Sequence, residues 1–350
     1  MAAIGSLTRL LDGPGLLDGT ALPPATRCRL LAALVDELAG EDDPRPAEAA
    51  AESLRIAREL AAPDLIALAL AESIKAARPE QGAQARLRYT AELARVAEAH
   101  AMPAYTWYAE YFTASVLATQ GEVAAQRAAL GRLQVIAQRY RMTEPQAVNG
   151  FFEAFLSHVE GRFADAEADY ARATALMARN DPQYAIGIHL LGLLTVRISE
   201  GRAEELLGLL HDAYARFGPI AVDPYAAALV AAGRLGEVPA VRASLPPLRP
   251  DFLYSLYATF RAMAVIALGE TNEAELLLAA LLPMRDQLAG ANTLALVMRP
   301  VAHTLGDLCE LLGRHQEAEQ HFAHAEAVAL RWGALHWAAA ARSALAAVPR

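Results

Sequence analysis

Gly161-Arg-Phe-Ala-Asp-Ala-Glu167 and Gly313-Arg-His-Gln-Glu-Ala-Glu319 are two variants of one pattern. The leading glycine recurs at Gly121, Gly161, Gly201, Gly233, Gly269 and Gly313, at intervals of 40, 40, 32, 36 and 44 residues. Each glycine follows an apolar stretch that reads as a helix, and most precede a stretch rich in Ala and Glu. Self-similarity at this spacing marks a solenoid of helical hairpins, each stacked on its neighbours.

Registering the chain on these glycines sharpens the reading. In a tetratricopeptide-type hairpin, small or apolar residues fall five, nine and twelve positions after the turn. Gly161 gives Ala166, Tyr170 and Ala173; Gly313 gives Ala318, Phe322 and Ala325. Gly201 gives Leu206, Leu210 and Ala213; Gly269 gives Ala274, Leu278 and Leu281. Offsets of four and three place each trio on one helical face. Gly121 fits in part, with Gln126 in the small position, and Gly233 fits poorly, with Arg242 in the aromatic position.

The expected fold is all-α: a right-handed superhelical solenoid of about eight hairpins plus a C-terminal capping helix. An irregular leader over 1–23 precedes a single solenoid over 24–350. Helices pair as 24–38 with 47–60, 64–77 with 80–99, 105–120 with 123–141, and 144–160 with 164–179. Asp181-Pro182 reads as an N-cap followed by proline at the first helical position, opening 183–200, which pairs with 203–217. The next unit, 224–232 with 238–245, is crowded by Pro219, Pro239, Pro246, Pro247 and Pro250, so 219–250 is the expected hinge. Regular pairs resume as 252–268 with 273–288 and 293–312 with 316–332, and 334–348 is the cap.

Composition agrees. Hydrophobic residues make up 55% of the 350 and charged residues 20%, with strong helix formers dominant. The formal net charge is −9, and Lys75 is the one lysine. That balance, with no basic stripe, argues against direct nucleic-acid binding. Cys28 and Cys309 stand apart without metal-ligand spacing, as free thiols do in a reducing compartment. The first residues have no secretory pattern, and Arg261 interrupts the most apolar stretch, 253–268. A cytoplasmic protein with no membrane association is expected.

No G-x-x-x-x-G-K-[ST] loop surrounds Lys75, no G-x-G-x-x-G follows a strand, and no G-x-S-x-G occurs. His321 and His324 lie three apart on a helix, but the register puts them outside, so no metal and no cofactor is expected. The first helices of the hairpins carry a stripe toward the concave groove: Tyr108 and Tyr111, then Phe151, Phe155 and His158, then Thr259 and Met263, then His303, Asp307 and Glu310. Grooves lined by aromatic anchors and a few polar groups take peptides or amphipathic ligands; inter-repeat packing explains the same aromatics equally well. Arg197 faces either an anionic ligand or Glu200. Eight residues before the turn glycine, where an apolar residue belongs, stand Glu153 and Arg261. Burial of such charges is costly, so rotation of these side chains to solvent is favoured over a polar pocket.

The stretch Pro300-Val-Ala-His-Thr-Leu-Gly306, with Leu312-Gly-Arg314, Glu317-Ala318, His321-Phe322, Gly333-Ala334 and Trp337, resembles the tetratricopeptide-like C-terminal repeat region of large bacterial regulators. These are the ATP-binding LuxR-type, adenylate-cyclase-linked and antibiotic-regulatory-type proteins. Gly161–Glu167 is similar too, and the resemblance covers most of the chain. The ATPase and DNA-binding modules of that family are not in this sequence, and no catalytic residue carries over. The resemblance implies a non-catalytic binding or scaffold module that recognises a protein segment or a small effector, in bacterial regulation of transcription or secondary metabolism. A homodimer through an end cap is one further arrangement. The alternative is an enzyme, or a small-molecule-binding accessory protein of a biosynthetic pathway, with a pocket inside the solenoid and a set drawn from Glu153, His158, Arg261, His303 and Asp307.

Overall fold

The computed structural model describes Leu7, Leu11 and residues 22–38, 43–77 and 83–349. The expected leader lies outside the described residues, except for Leu7 and Leu11, which are helical, and Leu22 and Pro23. The chain forms two compact units: Met1–Val116 with Ala128–Tyr140 and Arg249–Asp251, and Leu117–Arg127 with Arg141–Leu248 and Phe252–Arg350.

The first unit holds α1 (Pro24–Glu37), α2 (Arg45–Glu59), α3 (Pro63–Ala76), α4 (Ala83–Ala99), and most of α5 (Pro103–Gln120) and α6 (Val123–Arg139). The second holds α7 (Thr143–Val159), α8 (Phe163–Met177), α9 (Pro182–Glu200), α10 (Leu207–Phe217), α11 (Val222–Ala231), α12 (Val238–Arg242), α13 (Tyr254–Leu268), α14 (Thr271–Leu281), α15 (Val301–Leu311), α16 (His315–Trp332) and α17 (Leu335–Ala347). Within each unit consecutive helices pack as neighbours, as α1 to α4 and α7 to α9 do, giving an all-α solenoid of hairpins. Proline opens α3 and α9 at a position where its missing N–H loses no helical bond. Asp181 caps α9 as the sequence predicts: its Oδ1 accepts from the Gln183 and Tyr184 amides at 3.1 and 2.9 Å.

All six turn glycines are left-handed, with φ between +69° and +74°. A side chain there costs about 1–2 kcal/mol, which is why glycine marks these turns. Ala61, Ala101 and Arg141 make turns with φ of +50°, +51° and +51° without a glycine to announce them. The buried register holds across the chain. The trios after Gly161, Gly201, Gly269 and Gly313 are buried, and so is Gln126. Gly192 and Gly306 are the small residues that make room for the rings of Tyr170 and Phe322; a Cβ on either would sit 2.4 Å from the ring.

Two expectations need correction. The helix expected over 293–312 begins only at Val301. Ahead of it, Leu288 and Pro300 form an antiparallel bridge, and across a tight loop the Ala289 amide donates to Arg299 O at 3.3 Å while the Met298 amide donates to Ala289 O at 2.9 Å. Gly290 at φ +80° and Leu294 at φ +57° take conformations no helix allows, and Pro300 keeps the residue before it out of the helical region. This segment is enclosed: Leu288, Leu294, Leu296 and Val297 are fully buried. The Tyr170 hydroxyl donates to Ala295 O at 2.6 Å, and the Gly290 amide donates to Ser255 Oγ at 3.0 Å. The second unit thus fills its interior with its own chain.

Arg261 is the second correction. Glu153 does reach solvent, but Arg261 is 7% exposed. Its guanidinium donates to both carboxylate oxygens of Asp223, at 3.1 and 2.8 Å, and to Pro246 O at 2.7 Å. Burial is tolerated because the planar fork finds a matching carboxylate and a carbonyl. The proline-rich stretch is pinned again by Arg242, whose guanidinium donates to Glu270 at 2.5 Å and Glu273 at 2.7 Å.

Candidate functional site: a pocket of the second unit

The last two helices return to the first hairpin of their unit. Trp332 meets Phe155 edge-on at 5.9 Å, Trp337 meets His158 at 5.2 Å, and His336 meets Phe163 at 5.1 Å. Between this closure and the buried segment lies an open cavity of about 600 Å³. Its apolar wall is Ile198 from α9, Val230 from α11, Met263 and Ile266 from α13, Met298 from the buried segment and Trp337 from α17. Ala267 and Ala340 keep it open, and Ser199 and Ser343 add hydroxyls.

The polar groups gather at Arg299, His303 and Asp307. Arg299 ends the buried segment, and His303 and Asp307 are one turn apart on α15, so all three follow from where that helix starts. Arg299 Nη2 donates to Asp307 Oδ2 at 2.5 Å, while His303 Nε2 stands 3.9 Å from Asp307 Oδ1. Arg299 Nε and His303 Nδ1 are buried without a hydrogen-bond partner. Burial, with the Arg299 cation beside it, holds the His303 imidazole well below its ordinary pKa and therefore neutral.

Of the residues expected in a groove, Met263, His303 and Asp307 meet at this cavity. His158 lies behind its wall: its Nε2 is 2.9 Å from the Ser199 hydroxyl, and its ring rests on Trp337. Burial and the neighbouring His336 push its pKa down to about 3, and burial takes His336 to about 4. The others are elsewhere. Phe151 and Phe155 are fully buried packing residues, because the stripe they share points into the helix interface. Thr259 is buried and donates to Ser255 O on its own helix. Arg197 pairs with Glu167 at 2.9 Å rather than with Glu200, and Glu310 is 2.8 Å from His315. Tyr108 and Tyr111 belong to the first unit, in an aromatic group where Trp107 stacks on Tyr111 at 5.5 Å. Glu153 and Arg261 are away from the cavity lining.

No protein-family model matches the chain, and no curated protein matches it. Among the described residues, no helix is long and apolar enough to cross a membrane, and no group of three or more His, Cys, Asp and Glu is placed to hold a metal ion. His324 is 2.7 Å from Asp286.

Sequence reasoning missed Arg299, Met298 and Ser199. The signal for the first two was present: Gly290 and Pro300 bracket a stretch whose apolar content alone reads as helix. Ser199 carried no signal, since its role depends on a histidine one repeat earlier.

Proposed function

We propose that this chain is a non-catalytic, tetratricopeptide-like binding module that takes a small effector molecule in the cavity of its second unit. It would act within bacterial regulation of transcription or secondary metabolism, the setting of the regulators its repeats resemble. The observation that carries this reading is the cavity itself. At about 600 Å³ it lies within the roughly 300–1,000 Å³ of small-molecule sites. It is also built like one, with a mostly apolar wall and a few convergent polar groups. A long peptide is less well served, because residues 288–298 occupy the interior it would need.

The enzymatic alternative has less support. Of its five residues only His303 and Asp307 line the cavity. At 3.9 Å their separation exceeds an orienting hydrogen bond, and Asp307 is engaged by Arg299.

Native mass spectrometry of the protein as purified from a bacterial host tests the reading. A bound species is expected in the parent protein and lost or weakened in Ala267→Trp, which projects a bulky ring into the cavity. A species retained undiminished by a folded Ala267→Trp variant would place binding elsewhere.

A further inference from the structure

Building on the cavity as a small-molecule site, we infer that its ligand is uncharged: a largely apolar molecule that presents a hydrogen-bond acceptor, such as a carbonyl oxygen, to Arg299. The argument is one of charge balance. Arg299 and Asp307 are the two ionised side chains in the lining, and they face each other at 2.5 Å, so the lining has no net formal charge. His303, held neutral, adds none.

A carboxylate arriving here would share Arg299 with Asp307 and leave two anions against one cation. An ammonium group would meet Arg299 with the only anion already engaged. Either leaves a charge unmatched beside a wall of Ile198, Val230, Met263 and Trp337, where even Arg299 and Asp307 are only 24% and 25% exposed and an unpaired ion is disfavoured.

The unused hydrogen-bonding capacity sets the polarity of the ligand's head. Arg299 engages Asp307 through Nη2 while its side chain stays 24% exposed in the lining, and a guanidinium N–H can only donate. The Ser199 hydroxyl is already committed, donating to Thr195 O at 3.0 Å and lying 2.9 Å from His158 Nε2. What remains on Arg299 asks for an acceptor. An amide, ester or ketone oxygen supplies one without bringing charge.

Isothermal titration of the full chain with octanamide, octanoate and octylammonium tests this. The parent protein is expected to bind octanamide at least tenfold more tightly than either ion. Asp307→Asn leaves Arg299 unbalanced, so the preference should invert toward octanoate by tenfold or more. The double variant Arg299→Gln/Asp307→Asn restores neutrality and should again reject octanoate, even if the single variant folds poorly. Preference for an ion in the parent protein, or an order that Asp307→Asn and the double variant both leave unchanged, overturns the inference while the cavity stands. Absence of binding by all three probes in the parent protein overturns the inference together with the cavity as the binding site.

Discussion

The α7–α8 hairpin and the α11–α12 unit share one register and are held together by opposite means. In the first, the turn glycine is followed by Ala166, Tyr170 and Ala173, all buried, with Phe151 across the hairpin at a ring separation of 6.3 Å. In the second, Val238 is buried in the matching place, but the aromatic position is Arg242, whose side chain is 7% exposed and ion-paired twice. Nearby, Asp223 and Arg261 are buried as a bidentate pair. An apolar register tolerates approximate partners, whereas a buried charge must find its specific counterpart. The proline-rich unit is therefore irregular in shape and exacting in its contacts.

The largest expected effect tests that difference. Arg261→Met leaves Asp223 buried without its partner, and such losses run to about 3–5 kcal/mol. Adding Asp223→Leu should recover much of it, and urea unfolding of the two variants measures the coupling. Equal destabilisation by Arg261→Met with and without Asp223→Leu would mean the pair is not what holds the unit.

The apolar register is probed by Gly306→Ala. A Cβ 2.4 Å from the Phe322 ring overpacks the interface, at about 1–3 kcal/mol. Gly131→Ala is the control: nothing lies within 4 Å of its Cβ, so it should gain about 0.5–1 kcal/mol as helix propensity dictates. Denaturant midpoints of the pair decide whether close approach of helices underlies the register.

Closure of the second unit gives the next effect. His158 and His336 titrate near 3 and 4 against an ordinary 6.5, so the folded chain holds fewer protons than the unfolded one between those values. Stability is then greatest above pH 6.5 and falls as pH drops toward 4, by up to about 1.4 kcal/mol per pH unit for each group. Urea midpoints at pH 7 and 5.5 should show the decline, and a His158→Gln/His336→Gln variant should flatten it. The smallest effect belongs to a left-handed turn without glycine. Ala101→Gly relieves about 1–2 kcal/mol of strain and loses about 0.4–1 kcal/mol through the unfolded chain, so a slight gain in melting temperature is expected.

The repeat was legible because its turns need glycine and its second helices need small residues at fixed offsets. Both requirements are local, so Gly161 and Ala166 reveal them in the sequence alone. Ala101 and Arg141 make the same left-handed turn but carry no mark, because neither is a glycine. The cavity was half legible. Met263, His303 and Asp307 follow from the helical register, yet Arg299 is set by where α15 starts, and that depends on Gly290, Leu294 and Pro300 acting together. Arg261 was misread for a similar reason: its acceptors, Asp223 and Pro246 O, lie 38 and 15 residues earlier in the chain.

The segment between Met284 and Val301 also bears on how the second unit comes apart. A repeat stack with only nearest-neighbour contacts frays from its ends, one hairpin at a time. Here Tyr170 is bonded to Ala295 O, 125 residues away, and α16 and α17 close on α7 and α8. Losing the terminal helices removes the wall that encloses the segment, and losing the segment strips the hairpins of their common interior. The second unit should consequently melt cooperatively as a whole, and deleting its last helix should weaken hydrogen-exchange protection as far back as Tyr170.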